Sequence, residues 1–156
     1  MNFATTHRHH TAFLANHLET LASLIVSQAE TALKKADIPI RSRAVSALLL
    51  IAEREQTTIA EIAESLHQPH QLVTQRIEGL LKIGVIERHP DPSDGRRKLL
   101  RLTPHGRDVH QKLDDFLAQM TRVFNDLFKE IDCNLEKQIE AAKVRLAHDN
   151  LMERLD

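Results

Sequence analysis

The chain is poor in the residues that secreted proteins and many enzymes rely on. It holds one cysteine, Cys133, so no internal disulfide can close. Tryptophan and tyrosine are absent and phenylalanine occurs five times, which leaves little of the aromatic surface that lines typical substrate pockets. There is no HExxH pair, no Gly-rich phosphate loop and no nucleophile elbow. The expectation is therefore no enzyme, no catalytic residue and no cofactor. The N-terminal stretch lacks the charged start, apolar run and cleavage site of a signal peptide. No apolar run approaches the roughly 20 residues that span a bilayer. A reducing cytoplasm and no membrane partner are the simplest expectation.

Glycine and proline are also scarce, four and five residues, and they fall mostly in the middle third. That distribution predicts long helices on both sides of a loop-rich centre. With 156 residues the chain suffices for one domain with a modest core. The net charge of −1 excludes a protein coated in basic residues, yet the cations are unevenly placed. Arg96, Arg97, Lys98, Arg101 and Arg107 follow one another with no carboxylate between them, whereas acids outnumber bases from Asp114 onward.

What is present is helical periodicity. Leu14, Leu18, Leu21 and Ile25 predict a first helix from about Thr11 to Lys35, which Pro39 excludes from continuing. Val45, Leu48, Leu49 and Ala52 predict a second, from about Arg41 to Glu53. Thr57 and Thr58 suit either a very short strand or the cap of a third helix carrying Ile59, Ile62, Ala63 and Leu66. After the polar turn His67-Gln68-Pro69, a fourth helix carries Val73, Ile77, Leu80 and Leu81, with Gly84 placed to end it. Val85 and Ile86 lead an extended segment to His89, which pairs with Lys98 to Leu102 across a charged loop. Val109, Leu113, Phe116, Met120, Val123 and Leu127 then alternate steps of four and three, a heptad seam. Asp132 is positioned to cap a last helix with Leu135, Ile139, Ala142 and Leu146. A chain of this size cannot cover so many terminal apolar stripes alone, which points to a second subunit.

The fourth helix presents Gln71, Gln75, Glu78 and Lys82 opposite its apolar side, flanked by Thr74. Glutamine can pair twice with an adenine edge and threonine can meet a thymine methyl, so this face suits the major groove as well as it suits plain solvation. His70 and the helix N-terminus would reach a phosphate. The connection between the two extended segments, eight or nine residues that carry Asp91, Asp94, Arg96 and Arg97, is longer than a hairpin needs. Gly95 lets its tip bend, and Asp94 is close enough to brace Arg96 or a neighbouring arginine while Arg96, Arg97 and Lys98 face phosphates or a narrow minor groove.

These residues carry a family resemblance. TIAEIAESL, the turn, the fourth helix, LLKIGVIER and DPSDGRRKLLRLTPHGR, from Ile59 to Gly106, resemble the winged helix-turn-helix core of the MarR family of bacterial transcriptional regulators. The triplet Asp94-Gly95-Arg96, nine residues before Thr103, with Leu102-Thr103 and Gly106 following, is its most specific part. The resemblance implies a mainly α fold with a small β-hairpin wing, a single domain over 1–156. Within it, 40–106 would form the winged DNA-binding region, and 1–36 and 108–156 the dimerisation helices. It further implies a homodimer that binds double-stranded DNA at a near-palindromic operator, with Gln71, Thr74 and Gln75 facing bases, Arg96 and its neighbours in the minor groove, and a ligand-responsive repressor role. Small anionic or aromatic effectors bind relatives between the dimer helices and the winged domain, where His17, Arg41 and Arg43 fall by pattern. Arg76 stands where the family usually has an apolar residue, and Glu61, Glu64 or a phosphate are its expected partners.

Three other readings have some footing. His7, His9 and His10 suggest a metal sensor, but lie at a terminus without the partners of a regular site, so no metal ligand is assigned. Cys133 near a helix start suggests a redox switch, although its ordinary role is that of a small buried apolar residue. A protein-interaction adaptor would use the terminal helices and need no cationic wing.

Overall fold

The computed structural model describes residues 3–95 and 97–155; Arg96 lies outside the described residues. After a short α1 (Phe3–Thr6) and a 3-10 turn (His10–Phe13) come α2 (Leu14–Lys35), a second 3-10 turn (Ser42–Ala44), α3 (Val45–Arg54), α4 (Ile59–Ser65) and α5 (His70–Lys82). The hairpin strands β1 (Ile86–Pro90) and β2 (Lys98–Leu102) follow, then α6 (Pro104–Glu130) and α7 (Leu135–His148). The chain divides into two compact units, one up to Asp114 and one from Asp115. Among the described residues no helix is long and apolar enough to cross a membrane.

Helix starts and stops follow from local chemistry. Thr58 and Glu61 form a reciprocal capping box at α4: the Glu61 N–H donates to Thr58 Oγ1, and Glu61 Oε2 accepts from the Thr58 N–H at 2.8 Å. Thr57, one residue earlier, exchanges backbone hydrogen bonds with Leu100, so the expected strand and the expected cap both occur, on adjacent residues. At the end of α5, Gly84 takes a left-handed φ of 72°, its N–H bonds Leu81 O, and the Val85 N–H bonds Leu80 O. That pair of bonds satisfies two carbonyls the helix leaves over.

The same closure recurs without glycine. Asp37, His67 and Asp132, with φ of 55°, 51° and 49°, end α2, α4 and α6, and the residues after them bond back to Leu33, Ala63 and Phe128. Asp132 is thus the closing residue of α6, which corrects its expected role as a cap. The cap of α7 is Asn134, whose side chain accepts from the Lys137 N–H at 2.9 Å. The first and second long helices begin at Leu14 and Val45, later than the expected starts near Thr11 and Arg41, because a 3-10 turn occupies the residues before each.

The core of the first unit is built from α3, α4, α5 and the hairpin. Ala47, Leu48 and Ile51 of α3 are fully buried, as are Ile62 of α4 and Val73 and Ile77 of α5, together with Val85 and Leu100. Each of the valine, leucine and isoleucine side chains among them contributes about 1.5–3 kcal/mol by leaving water. The start of α6 closes the unit through Val109 and Leu113. There Thr103 works in both directions: its hydroxyl donates to Gly84 O at 2.6 Å and accepts from the Gly106 N–H at 2.9 Å. This fixes the end of α5 and the start of α6 on either side of the hairpin.

The heptad seam changes character along α6. Val109 and Leu113 are buried within the first unit. In the second unit Phe116 and Met120 are half-buried, while Val123 and Leu127 are exposed. No residue of α7 is buried, and Ile139, Val144 and Leu146 lie open. On α2, Leu14, Leu18, Leu24 and Ile25 are likewise exposed.

Candidate nucleic-acid interface

The α5 helix is held by one side and open on the other. Val73, Ile77 and Leu80 anchor it in the core, while Gln71, Gln75, Glu78 and Lys82 are exposed. Thr74 is half-buried, and its hydroxyl donates to His70 O at 2.9 Å, a common resting bond for threonine within a helix. His70 is exposed in the first turn, which has no side-chain cap. The open face therefore carries neutral hydrogen-bonding groups in its N-terminal half and opposed charges further along.

Arg76 does not pair with Glu61 or Glu64. It reaches Gln68 Oε1 in the turn before α5, and it is partly buried. Burial, with Arg43 nearby, depresses its pKa below the ordinary guanidinium value.

The wing is an antiparallel pair in the register Ile86↔Leu102, Arg88↔Leu100 and Pro90↔Lys98. Between the strands lie residues 91–97, whose organiser is Asp91. This buried carboxylate accepts from the Ser93 N–H at 2.8 Å and from the Ser93 hydroxyl at 2.7 Å. These bonds hold its pKa below the ordinary aspartate range, with Arg97 adding to the effect. The Asp91 N–H bonds Arg97 O, and the Arg97 N–H bonds Asp94 O at 2.9 Å, so Asp94 supports the loop through its backbone carbonyl. The loop is closed from within, and the Asp91 carboxylate braces it beside Arg97.

Two wing cations turn back toward the helices. Arg97 Nη2 donates to Glu61 Oε1 at 2.8 Å, and its Nε lies 3.8 Å from Asp91 Oδ2. Arg88 pairs with Glu78 of α5. Glu61 has its pKa lowered, first by the Thr58 N–H and then by the Thr57 hydroxyl and Arg97, against the opposing effect of burial. Lys98, at the start of β2, is exposed and forms no ion pair among the described residues.

A cleft of about 730 Å³ opens between α2, the turn after it and α5. Arg41 and Arg43 line it, joined by Arg76, Lys82, Glu30 and Gln75. His17 does not; it is half-buried more than two turns before Val26, the first cleft residue on α2. The cationic contribution of α5 escaped the sequence reading, since nothing local ties Arg76 to Arg43. At the N-terminus, His7 packs against Phe13 with ring centroids 5.5 Å apart, and its Nδ1 accepts from the His9 N–H. Among the described residues no cluster of three or more His, Cys, Asp or Glu is arranged to hold a metal ion. Cys133 is half-buried in the turn between α6 and α7.

Two helices joined by a tight turn, with a hairpin closing against them, define a winged helix-turn-helix. Residues 37–97 match the model of the MarR family. A search of curated proteins finds no match. Among solved structures, the chain is similar to S. aureus MepR in complex with DNA at 18% identity and a TM-score of 0.69, covering 86% of this chain and 96% of that one. It is also similar to the transcriptional regulator BldR from Sulfolobus solfataricus, at 20% identity and TM-score 0.66, with 88% and 95% covered. PcaV from Streptomyces coelicolor, solved with its natural ligand, aligns at 22% identity and TM-score 0.62 over 96% of both chains. These likenesses establish the winged fold.

Proposed function

We infer that the protein is a DNA-binding transcriptional regulator that acts as a homodimer on a near-palindromic operator and represses until an effector binds. The observation that carries this reading is the open face of α5. Its buried side is fixed in the core, while Gln71 and Gln75 stand exposed in the half of the helix that enters a major groove, beside a cationic hairpin. Gln71, Thr74 and Gln75 read base edges, and His70, Lys98 and Arg96 approach phosphates. Apolar side chains left open on α2, and separately on α6 and α7, support a second subunit as their cover. MepR was solved with DNA, which supports the same assignment for this fold.

The cleft supports the effector. Arg41 and Arg43 form no ion pair among the described residues, and the cleft sets four cations, Arg41, Arg43, Arg76 and Lys82, against one carboxylate, Glu30, which already accepts from the Ser42 N–H at 2.7 Å. A small anion, aromatic or otherwise planar, offsets that unbalanced charge. PcaV was solved with a natural ligand, so a related fold accommodates one.

Selection of binding sites from genomic DNA, followed by titration over a range of salt, tests the reading. Each phosphate contact contributes about −0.9 to the slope of log affinity against log salt. An affinity indifferent to salt, or no enriched sequence, rejects it.

A further inference from the structure

The cations of the wing are not equivalent, and the difference lies in what has been placed opposite them. Glu61 is already immobilised by folding: its Oε2 accepts from the Thr58 N–H at 2.8 Å and from the Thr57 hydroxyl at 3.1 Å. Its Oε1 is left to meet Arg97 Nη2 at 2.8 Å. An exposed ion pair is usually worth little because two long side chains must be ordered to form it. Here the cap of α4 has ordered one of them, and the loop orders the other through the Arg97 N–H and the nearby Asp91 carboxylate. Thr57, next to the cap, is itself bonded to Leu100 of β2, so the pair spans two segments already in register. On the opposite strand Arg88 makes a similar connection to Glu78 of α5.

We propose that Arg97 is a positioning residue that latches the wing to α4 through Glu61 and Asp91, with Arg88–Glu78 as a second fastening, and that it is not a phosphate contact. This rests on the DNA-binding reading, and it inverts an ordinary expectation. Removing a carboxylate from a surface that meets a polyanion normally strengthens binding. Removing Glu61 weakens it, because the wing loses its seat.

The experiment is a double-mutant cycle with Glu61→Gln and Arg97→Gln, read as affinity of the full chain for a mixed-sequence DNA duplex over a range of salt. Glutamine can still accept the Thr58 N–H, so the cap and the fold survive the first change. Each single variant is expected to weaken binding by about two- to fivefold, with the double variant no worse than either. The salt slope of Arg97→Gln should match that of the unmodified chain. Binding by Glu61→Gln at least as tight as the unmodified chain, with a slope shallower by about 0.9 in Arg97→Gln, overturns the latch and makes Arg97 a phosphate ligand. Amide hydrogen exchange across Leu99 to Leu102, without DNA, separates the two readings. If the unmodified chain fails to bind the duplex, the DNA-binding reading falls. Faster exchange in both variants then still supports the latch, and unchanged exchange overturns it.

Discussion

Gly106 lies so close to Val85 that a Cβ built on it would sit 1.8 Å from the Val85 carbonyl oxygen. The obstacle is backbone, held by the Thr103 N–H at 3.1 Å, and cannot swing aside. Gly106→Ala should destabilise the first unit by about 1–3 kcal/mol or more, as overpacking does. Thr103→Val, which removes the bonds to Gly84 O and from the Gly106 N–H, should cost about 0.5–2 kcal/mol. Urea denaturation followed by circular dichroism checks both; an unchanged midpoint in Gly106→Ala contradicts this packing.

Asp132 and Asn134 should respond in opposite directions. Asp132 holds a left-handed φ that glycine adopts freely, so Asp132→Gly should leave stability unchanged or raise it by up to about 1 kcal/mol. Asn134→Ala removes the cap of α7 and should lower stability by about 1 kcal/mol. Helicity and thermal midpoint measured on the two variants distinguish them; a loss in Asp132→Gly would return that aspartate to a capping role.

Acid should loosen the wing through two carboxylates. Glu61 and Asp91 both have folded pKa values depressed below those of the unfolded chain. The folded state therefore binds fewer protons than the unfolded state, and their contribution is complete above the ordinary carboxylate range, about 4. It disappears as pH falls from there through the depressed folded values. Asp91→Asn should accordingly be less stable than the unmodified chain at neutral pH, with the gap closing in that acidic window. Denaturant midpoints at pH 7 and near pH 3 provide the comparison, and a gap that widens on acidification would refute it.

Arg76→Met should separate stability from ligand binding. Methionine removes a cation that burial and Arg43 both disfavour, so stability should hold or rise, although Gln68 loses its partner. Affinity for a small aromatic carboxylate such as benzoate should fall, as it should in Arg43→Ala. Calorimetric titration decides; equal benzoate affinity in all three proteins would remove these arginines from the effector reading.

Helix faces were legible in the sequence because burial repeats at the helical period: Val73, Ile77 and Leu80 are all found inside. Helix ends were less so. Asp37, His67 and Asp132 occupy closing positions where glycine is the usual signal, and only Gly84 announced itself. Among site residues, the open face of α5 followed from the same periodicity, whereas Arg41 and Arg43 were placed near a cleft only by what the family resemblance implies. The meeting of Glu61 with Arg97, 36 residues apart, had no local signature. The one available hint was the Thr58-to-Glu61 spacing of a capping box, which fixes the carboxylate but not its partner. His17 fell outside the cleft because shared membership of α2 says nothing about which turn reaches it.

Gln75 stands both on the exposed face of α5 and on the wall of the cleft. A guest settling there would press on the very side chain assigned to read sequence, with no relay between them. Occupancy and operator choice would then compete for one rotamer, and a graded series of ever bulkier guests would tune recognition by degrees, like a dimmer and not a toggle.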